Sequence, residues 1–160
     1  MSNLATLVQV GKTAPVFSLF SDDGKAYSLK DFRGQFVVLY FYPKDNTSGC
    51  TAEACQFRDL HLDFSKLNTI ILGVSRDSLK SHTKFRNDHQ LPFLLLSDVK
   101  GDVCQQYGVW VEKSMYGRKY FGIERSTFLI DRAGIIQKIW RKVKVPGHAE
   151  DVLKVITTLT

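Results

Sequence analysis

Only three cysteines occur in this chain of 160 residues, and an odd count argues against a framework of structural disulfides. Prolines are nearly as scarce, at four. No tract is repeated, low in complexity or linker-like, so no boundary divides residues 1–160 and a single domain is expected. The N-terminus lacks a basic region followed by an apolar stretch, and no apolar run reaches the roughly 20 residues that a helix needs to span a bilayer. Neither export nor a membrane anchor is expected. The cytoplasm is the expected setting, and there paired cysteines serve as metal ligands or redox groups rather than as structural staples.

What is present is ordinary for a globular protein: 44% hydrophobic and 24% charged residues, in a chain long enough to bury a core without cross-links. The formal net charge of +6 invites a nucleic-acid reading. The basic residues are spread along the chain, however, and the densest cluster, Lys138 to Lys144, falls on a predicted strand. Ile136, Lys138, Trp140, Lys142 and Lys144 share one side of that strand and are expected to be a solvated face. No nucleic-acid motif accompanies the charge, so nucleic-acid binding is not expected. A basic surface does suit an acidic protein partner.

The chemistry concentrates between residues 36 and 67. Phe36 to Tyr42 is an unbroken apolar and aromatic run, the pattern of a strand buried on both faces. Pro43 stops it, and Lys44 to Gly49 is a polar turn. Phe57, Leu60, Phe64 and Leu67 then recur at helical spacing, predicting one helix from Thr51 to about Leu67. Cys50 thus falls at a helix start, where unpaired backbone N–H groups and the helix dipole favour thiolate, the nucleophilic form. Thr47 and Ser48 set hydroxyls beside it, able to cap the helix or donate to a substrate oxygen. Cys55 lies five residues on, a rotation of about 140° and a Cα separation of roughly 8–9 Å in a helix. Cysteines that far apart are not bridged without backbone movement. Cys50 points inward with Phe57, and Cys55 outward with Thr51, Arg58 and Asp59.

The pattern Pro43-x-x-x-Thr47-x-x-Cys50 resembles the active-site signature of the peroxiredoxins. With Cys55 it is similar to their Q-type branch, the bacterioferritin comigratory proteins, where a resolving cysteine follows five residues later. The likeness extends to Gly11-Lys12-Thr13-Ala14-Pro15-x-Phe17-x-Leu19, Leu96-Ser97-Asp98, Tyr107-Gly108-Val109-Trp110 and Arg125-Ser126-Thr127-Phe128-Leu129-Ile130-Asp131. Ser48 departs from the proline of many relatives, which loosens the loop but removes no catalytic group. The resemblance implies a thiol peroxidase acting on hydrogen peroxide and organic hydroperoxides, with Cys50 peroxidatic and Cys55 resolving. It also implies that Arg125 and Thr47 assist at the sulfur, that Pro43 lines the substrate pocket, and that thioredoxin or a similar dithiol protein recycles an intramolecular Cys50–Cys55 disulfide. No cofactor or metal is implied, and an internal resolving cysteine suits a monomer.

The remaining chain predicts an α/β, thioredoxin-like fold: a central mixed sheet flanked by helices, with an N-terminal β-hairpin extension. Residues 1–10 are expected to run extended over the surface. Strands are predicted at Val16–Phe20 and Ala26–Leu29 around an Asp-Gly turn, then at Thr69–Ser75, Phe93–Leu96, Ser126–Ile130 and Ile135–Val143. Thr69–Ser75 should run parallel to the central strand, across a long helical crossover. Helices are predicted at Ser78–His89, Gly101–Tyr107 and His148–Leu159, and residues 111–122 read as a loop. Glu53 and Glu124 are expected to orient Arg125 or favour the helix start. Cys104 reads as packing, as do Phe41, Tyr42 and Trp110, and the four histidines form no pattern.

Two rival functions remain. Cys-x4-Cys is also a zinc-ligand spacing, but His61 and Cys104 complete no ligand motif. A disulfide oxidoreductase or redox sensor on the same fold would normally carry Cys-x-x-Cys, which is missing here.

Overall fold

The computed structural model describes residues 8–160. Nine strands and five α-helices follow in order: β1 (Ser18–Ser21), β2 (Ala26–Ser28), β3 (Phe36–Phe41), α1 (Ser48–Asp59), α2 (His61–Lys66), β4 (Thr69–Ser75), α3 (Leu79–His89), β5 (Leu94–Ser97), α4 (Asp102–Gln106), β6 (Trp110–Met115), β7 (Arg118–Ile123), β8 (Ser126–Ile130), β9 (Ile136–Trp140) and α5 (His148–Leu159). A short 3-10 helix, Leu29–Phe32, sits between β2 and β3. Seven strands form one sheet in the order β2-β1-β5-β4-β3-β8-β9. β3, β4 and β5 run parallel, and β8, β9, β1 and β2 are antiparallel to their neighbours. This is the expected thioredoxin-like α/β arrangement, and the N-terminal hairpin is built into the sheet edge through β1 and β5 rather than standing apart.

All six residues of β3 are buried, because both faces of the strand carry a core. Val37, Leu39 and Phe41 face a core completed by the 3-10 helix, α4 and Tyr107. Val38 and Tyr40, with Tyr42 beyond the strand, face another supplied by Phe57, Phe64, Phe85, Val152 and Ile156 from α1, α2, α3 and α5. Gly73 in β4 admits the tip of the Tyr40 ring, since a Cβ there would lie 3.0 Å from its Cζ and hydroxyl.

Four expectations need correction. The single helix over 51–67 is two, because the chain turns out of the helical region at Leu60 (φ −101°, ψ 6°). The apolar spacing nevertheless continues across the break, and all four predicted residues pack in the same core. Residues 111–122 are a hairpin, not a loop. β6 and β7 pair from Trp110↔Ile123 to Met115↔Arg118, and Tyr116 and Gly117 close the turn with positive φ of 52° and 77°. A tyrosine there hid the turn, since a two-residue turn of this type normally declares itself with asparagine or glycine. The strand over 135–143 ends at Trp140, and the register shifts at Leu129/Ile130. As a result Ile136 is fully buried, not part of a solvated face with Lys138. Of the extended segment expected over 1–10, residues 1–7 lie outside the described residues, and Val8 is buried in the core. No helix among the described residues is long and apolar enough to cross a membrane.

Candidate active site

The site forms where β3 ends and α1 begins. Thr47 is the N-cap residue of α1, and the first helical bond runs from the Thr51 N–H to the Thr47 carbonyl at 2.8 Å. The N–H groups of Ser48, Gly49 and Cys50 precede that bond and have no acceptor within the helix. Of the two roles open to it, the Thr47 hydroxyl does not take capping and donates instead to the Lys44 carbonyl at 2.9 Å. The N–H groups are thereby left free to receive an anion.

Cys50, third in the helix, is 2% exposed. Cys55 is half-buried, and all three cysteines are free thiols. Both reactive candidates lie inside one unbroken helix, so the roughly 8–9 Å between their α-carbons holds as expected from helix geometry. Cys104 packs without exposure, and its N–H donates to Asp98 Oδ2 at 2.8 Å. Burial, then Asp98, pushes its thiol well above the ordinary cysteine range, which leaves it inert.

Arg125 reaches Cys50 across 75 residues of sequence. The antiparallel register sets Phe41 opposite Ser126, so the residue before β8 stands beside the chain leaving β3. Arg125 Nη2 lies 3.4 Å from the Cys50 sulfur, and Nη1 lies 2.7 Å from Glu53 Oε1. Gly49 permits this approach, since a Cβ there would come within 3.2 Å of Nη2. Glu53 is 1% exposed and its Oε2 has no hydrogen-bond partner. Burial drives its carboxyl up to about 7, with the Arg125 charge and hydrogen bond opposing. Glu124 does not meet Arg125; its Oε1 is 3.8 Å from Arg141.

Sequence reasoning missed Lys113, which it set in a loop. On β6 it is half-buried, and its ammonium is lowered first by burial, then by the Arg125 charge, while Cys50 raises it. It is therefore a second cation in the field of the sulfur. Pro43, exposed, lines a concavity of about 300 Å³ with Arg76, Trp110, Lys113, Tyr120 and Phe121. Arg76 stacks over Trp110 at 4.5 Å.

Two buried histidines were also missed. His148 Nε2 is 2.7 Å from Thr127 Oγ1, and burial lowers the ring to about 4, so it is neutral near pH 7. His82 is fully buried with Nδ1 2.7 Å from Asp45 Oδ2. No signal in the sequence pointed to either, because their partners lie 21 and 37 residues away.

Comparison with known proteins bears on this geometry. The sequence pattern of the AhpC/TSA family matches residues 10–139. The chain is 53% identical over 146 residues to a Coxiella burnetii protein that bears the bcp peroxiredoxin name, covering 91% of this chain and 97% of that one. It is 47% identical to peroxiredoxin Bcp of Bacillus subtilis, covering 96% and 98%. Among solved structures, a cysteine variant of Xylella fastidiosa PrxQ superposes with a TM-score of 0.90 at 42% identity, over 94% of this chain and 96% of that one. The bacterioferritin comigratory protein of Xanthomonas campestris, described in terms of its alkyl peroxide reduction, superposes at 0.85 with 44% identity over 89% and 90%.

Proposed function

The chain belongs to the AhpC/TSA family, in its Bcp or Q-type peroxiredoxin branch, and from that premise we propose how its residues divide the work of a thiol peroxidase. The enzyme is a peroxiredoxin, an oxidoreductase that reduces peroxides through a cysteine sulfenic acid. Cys50 is the peroxidatic cysteine. The single observation that carries this assignment is the Arg125 guanidinium held 3.4 Å from a buried sulfur at a helix N-terminus, an arrangement that favours thiolate.

The Cys50 thiolate attacks one peroxide oxygen. The S–O bond forms, the O–O bond breaks, and its electron pair leaves on the distal oxygen, which takes a proton and departs as water or alcohol. Arg125 and the free N–H groups of α1 face the charge that develops there. Glu53, 2.7 Å from Nη1, holds the guanidinium beside the sulfur. Thr47, its hydroxyl turned onto Lys44, shapes the loop rather than capping the helix, and Pro43 with β6 and β7 forms the substrate rim. Hydrogen peroxide and alkyl hydroperoxides are both substrates on this reading.

Cys55 then resolves the sulfenic acid. Its thiolate attacks Cys50 sulfur, the S–S bond forms, the S–O bond breaks, and hydroxide leaves to be protonated to water. The first turns of α1 must unwind for this, because an intact helix keeps the two α-carbons beyond disulfide reach. A dithiol protein of the thioredoxin kind reduces the bond by exchange. The whole chain acts as one domain and one subunit, in the cytoplasm, with no bound cofactor.

Peroxide consumption coupled to thioredoxin and its reductase tests the scheme. Cys50→Ser is expected to abolish turnover. Cys55→Ser is expected to react once, accumulate a sulfenic acid that a dimedone-type reagent traps, and stop. Normal turnover by Cys55→Ser would remove Cys55 from the mechanism.

A further inference from the structure

The active-site loop is tied down at its middle by a buried polar cluster that the chemistry above leaves unused. Asp45, 6% exposed, lies midway between Pro43 and Thr47. Its Oδ1 accepts from the Tyr42 hydroxyl at 2.6 Å, and its Oδ2 accepts from Ser81 Oγ at 2.8 Å. Its backbone N–H donates to Asp77 Oδ2 at 2.9 Å, which also accepts from Ser75 Oγ at 2.6 Å. His82, fully buried on α3, sets Nδ1 at 2.7 Å from Asp45 Oδ2 and Nε2 at 3.0 Å from the Leu96 carbonyl.

Atom types decide where the protons are. The Leu96 carbonyl only accepts, so Nε2 carries a hydrogen. Nδ1 and Oδ2 at 2.7 Å must share another, since two bare lone pairs at that distance repel. Two hydroxyls also donate to the Asp45 carboxyl. Both ring nitrogens are thus engaged, and His82 with Asp45 is a buried hydrogen-bonded pair. Asp45, Asp77 and His82 set potential ligand atoms within 4.8 Å of one another, but both ring nitrogens are already taken up in hydrogen bonds.

Placement gives the pair its meaning. Asn46, the next residue, has a left-handed backbone (φ 58°), and α1 starts two residues later. On the far side of the cysteines, Phe57 is fully buried against Tyr40, Phe64 and His148. Residues 46–56, which include both reactive cysteines, are bracketed by two anchors. We propose that His82 is a positioning residue of the peroxidase reaction: paired with Asp45, it pins the loop so that unwinding of α1 stops at Asn46 and the loop closes again on Cys50 unaltered. This rests on the Cys50–Cys55 reading.

The test separates the two claims. The rate of peroxide attack is measured in a Cys55→Ser background, where no resolving step intervenes, for His82→Leu and for Asp45→Ala/His82→Leu. His82→Leu leaves the Asp45 carboxyl buried without its ring partner and is expected to lower both the melting temperature and the attack rate, the latter about tenfold. The double variant removes both partners, so its melting temperature should largely recover while attack stays slow. Amide exchange on the oxidised enzyme should show the N–H groups of residues 51–56, hydrogen-bonded in the closed helix, losing protection while those of Tyr42 and Asp45 keep theirs. An attack rate within twofold of the parent in His82→Leu, or one that recovers with stability in the double variant, would show His82 to be merely structural. Loss of protection at the Tyr42 and Asp45 amides in the oxidised parent would equally overturn the proposal. Should His82→Leu not fold, the double variant carries the attack comparison alone. Repeated turnover by Cys55→Ser itself would instead sink the resolving role and leave these attack rates interpretable.

Discussion

The two halves of α1 are held down by different forces. From Phe57 onward the attachment is apolar: Phe57 stacks on Tyr40 at 4.8 Å between ring centres and meets Phe64 and His148 at 5.9 and 6.0 Å. From Ser48 to Glu53 it is electrostatic. No side chain caps the start, a carboxyl is buried with one oxygen unpaired, and a single arginine serves both that carboxyl and the sulfur. Buried apolar contact is lost only at a large cost, whereas a buried, half-satisfied ion pair offers little net stability. The half that must unwind for disulfide formation is the one carrying that poorly compensated charge. The half that must stay put carries the rings.

Variants on either side of the divide test this difference, starting with the largest effect. Phe57→Ala should destabilise the whole protein by about 3–5 kcal/mol, read as the midpoint of denaturant unfolding. A loss under 1 kcal/mol would mean the second half is no anchor. Arg125→Ala should slow peroxide attack about 10²–10³-fold, the range for removing one preorganised donor at developing charge, when followed in single turnover. An unchanged rate would strip Arg125 of its role.

Glu53 gives a pH dependence whose sign is set by burial. Its carboxyl is at about 7 in the closed helix against a reference of 4.5, so the closed helix binds the proton more tightly than an unwound one. The stabilisation is fully present below about pH 4.5 and is lost as pH rises through 7, a change of about 3 kcal/mol at most. The conversion of sulfenic acid to disulfide should therefore rise more steeply between pH 5 and 7 in the wild type than in Glu53→Gln. The variant controls for ionisation of Cys55 itself, and identical slopes would uncouple Glu53 from opening.

The smallest effect belongs to the helix start. Ser48 is the first helical residue, its N–H has no partner within the helix, and Thr47 before it is extended (φ −89°, ψ 156°), as a residue preceding proline must be. Ser48→Pro should stabilise the closed helix by about 0.4–1 kcal/mol. Disulfide formation should slow about two- to fivefold, measurable by stopped-flow fluorescence.

Much of this was open to reading along the chain because the signals are local. An unbroken apolar run, a proline and a recurring aromatic face are enough to place a buried strand, a loop and a helix, and with them Cys50 at the helix start. The same method failed on β6 and β7, whose residues are mostly exposed and whose turn rests on Tyr116 at 98% exposure. Without a buried face there is no alternation to detect. Lys113 was lost with the hairpin. The helix starts at Ser48, three residues before the expected Thr51, and the Thr47 hydroxyl, read as a cap or a donor to substrate, turns onto the Lys44 carbonyl within the loop.

By itself the sequence determined which residue types stand at which end of which element, since side-chain period and turn chemistry act over a few residues. Only the tertiary structure decided which of those ends meet. Arg125 reaches Cys50 through the pairing of β3 with β8, and His82 reaches Asp45 because α3 packs beside the end of β3. Contacts across tens of residues depend on register and packing, which belong to the assembled chain and leave no periodic trace in either segment alone.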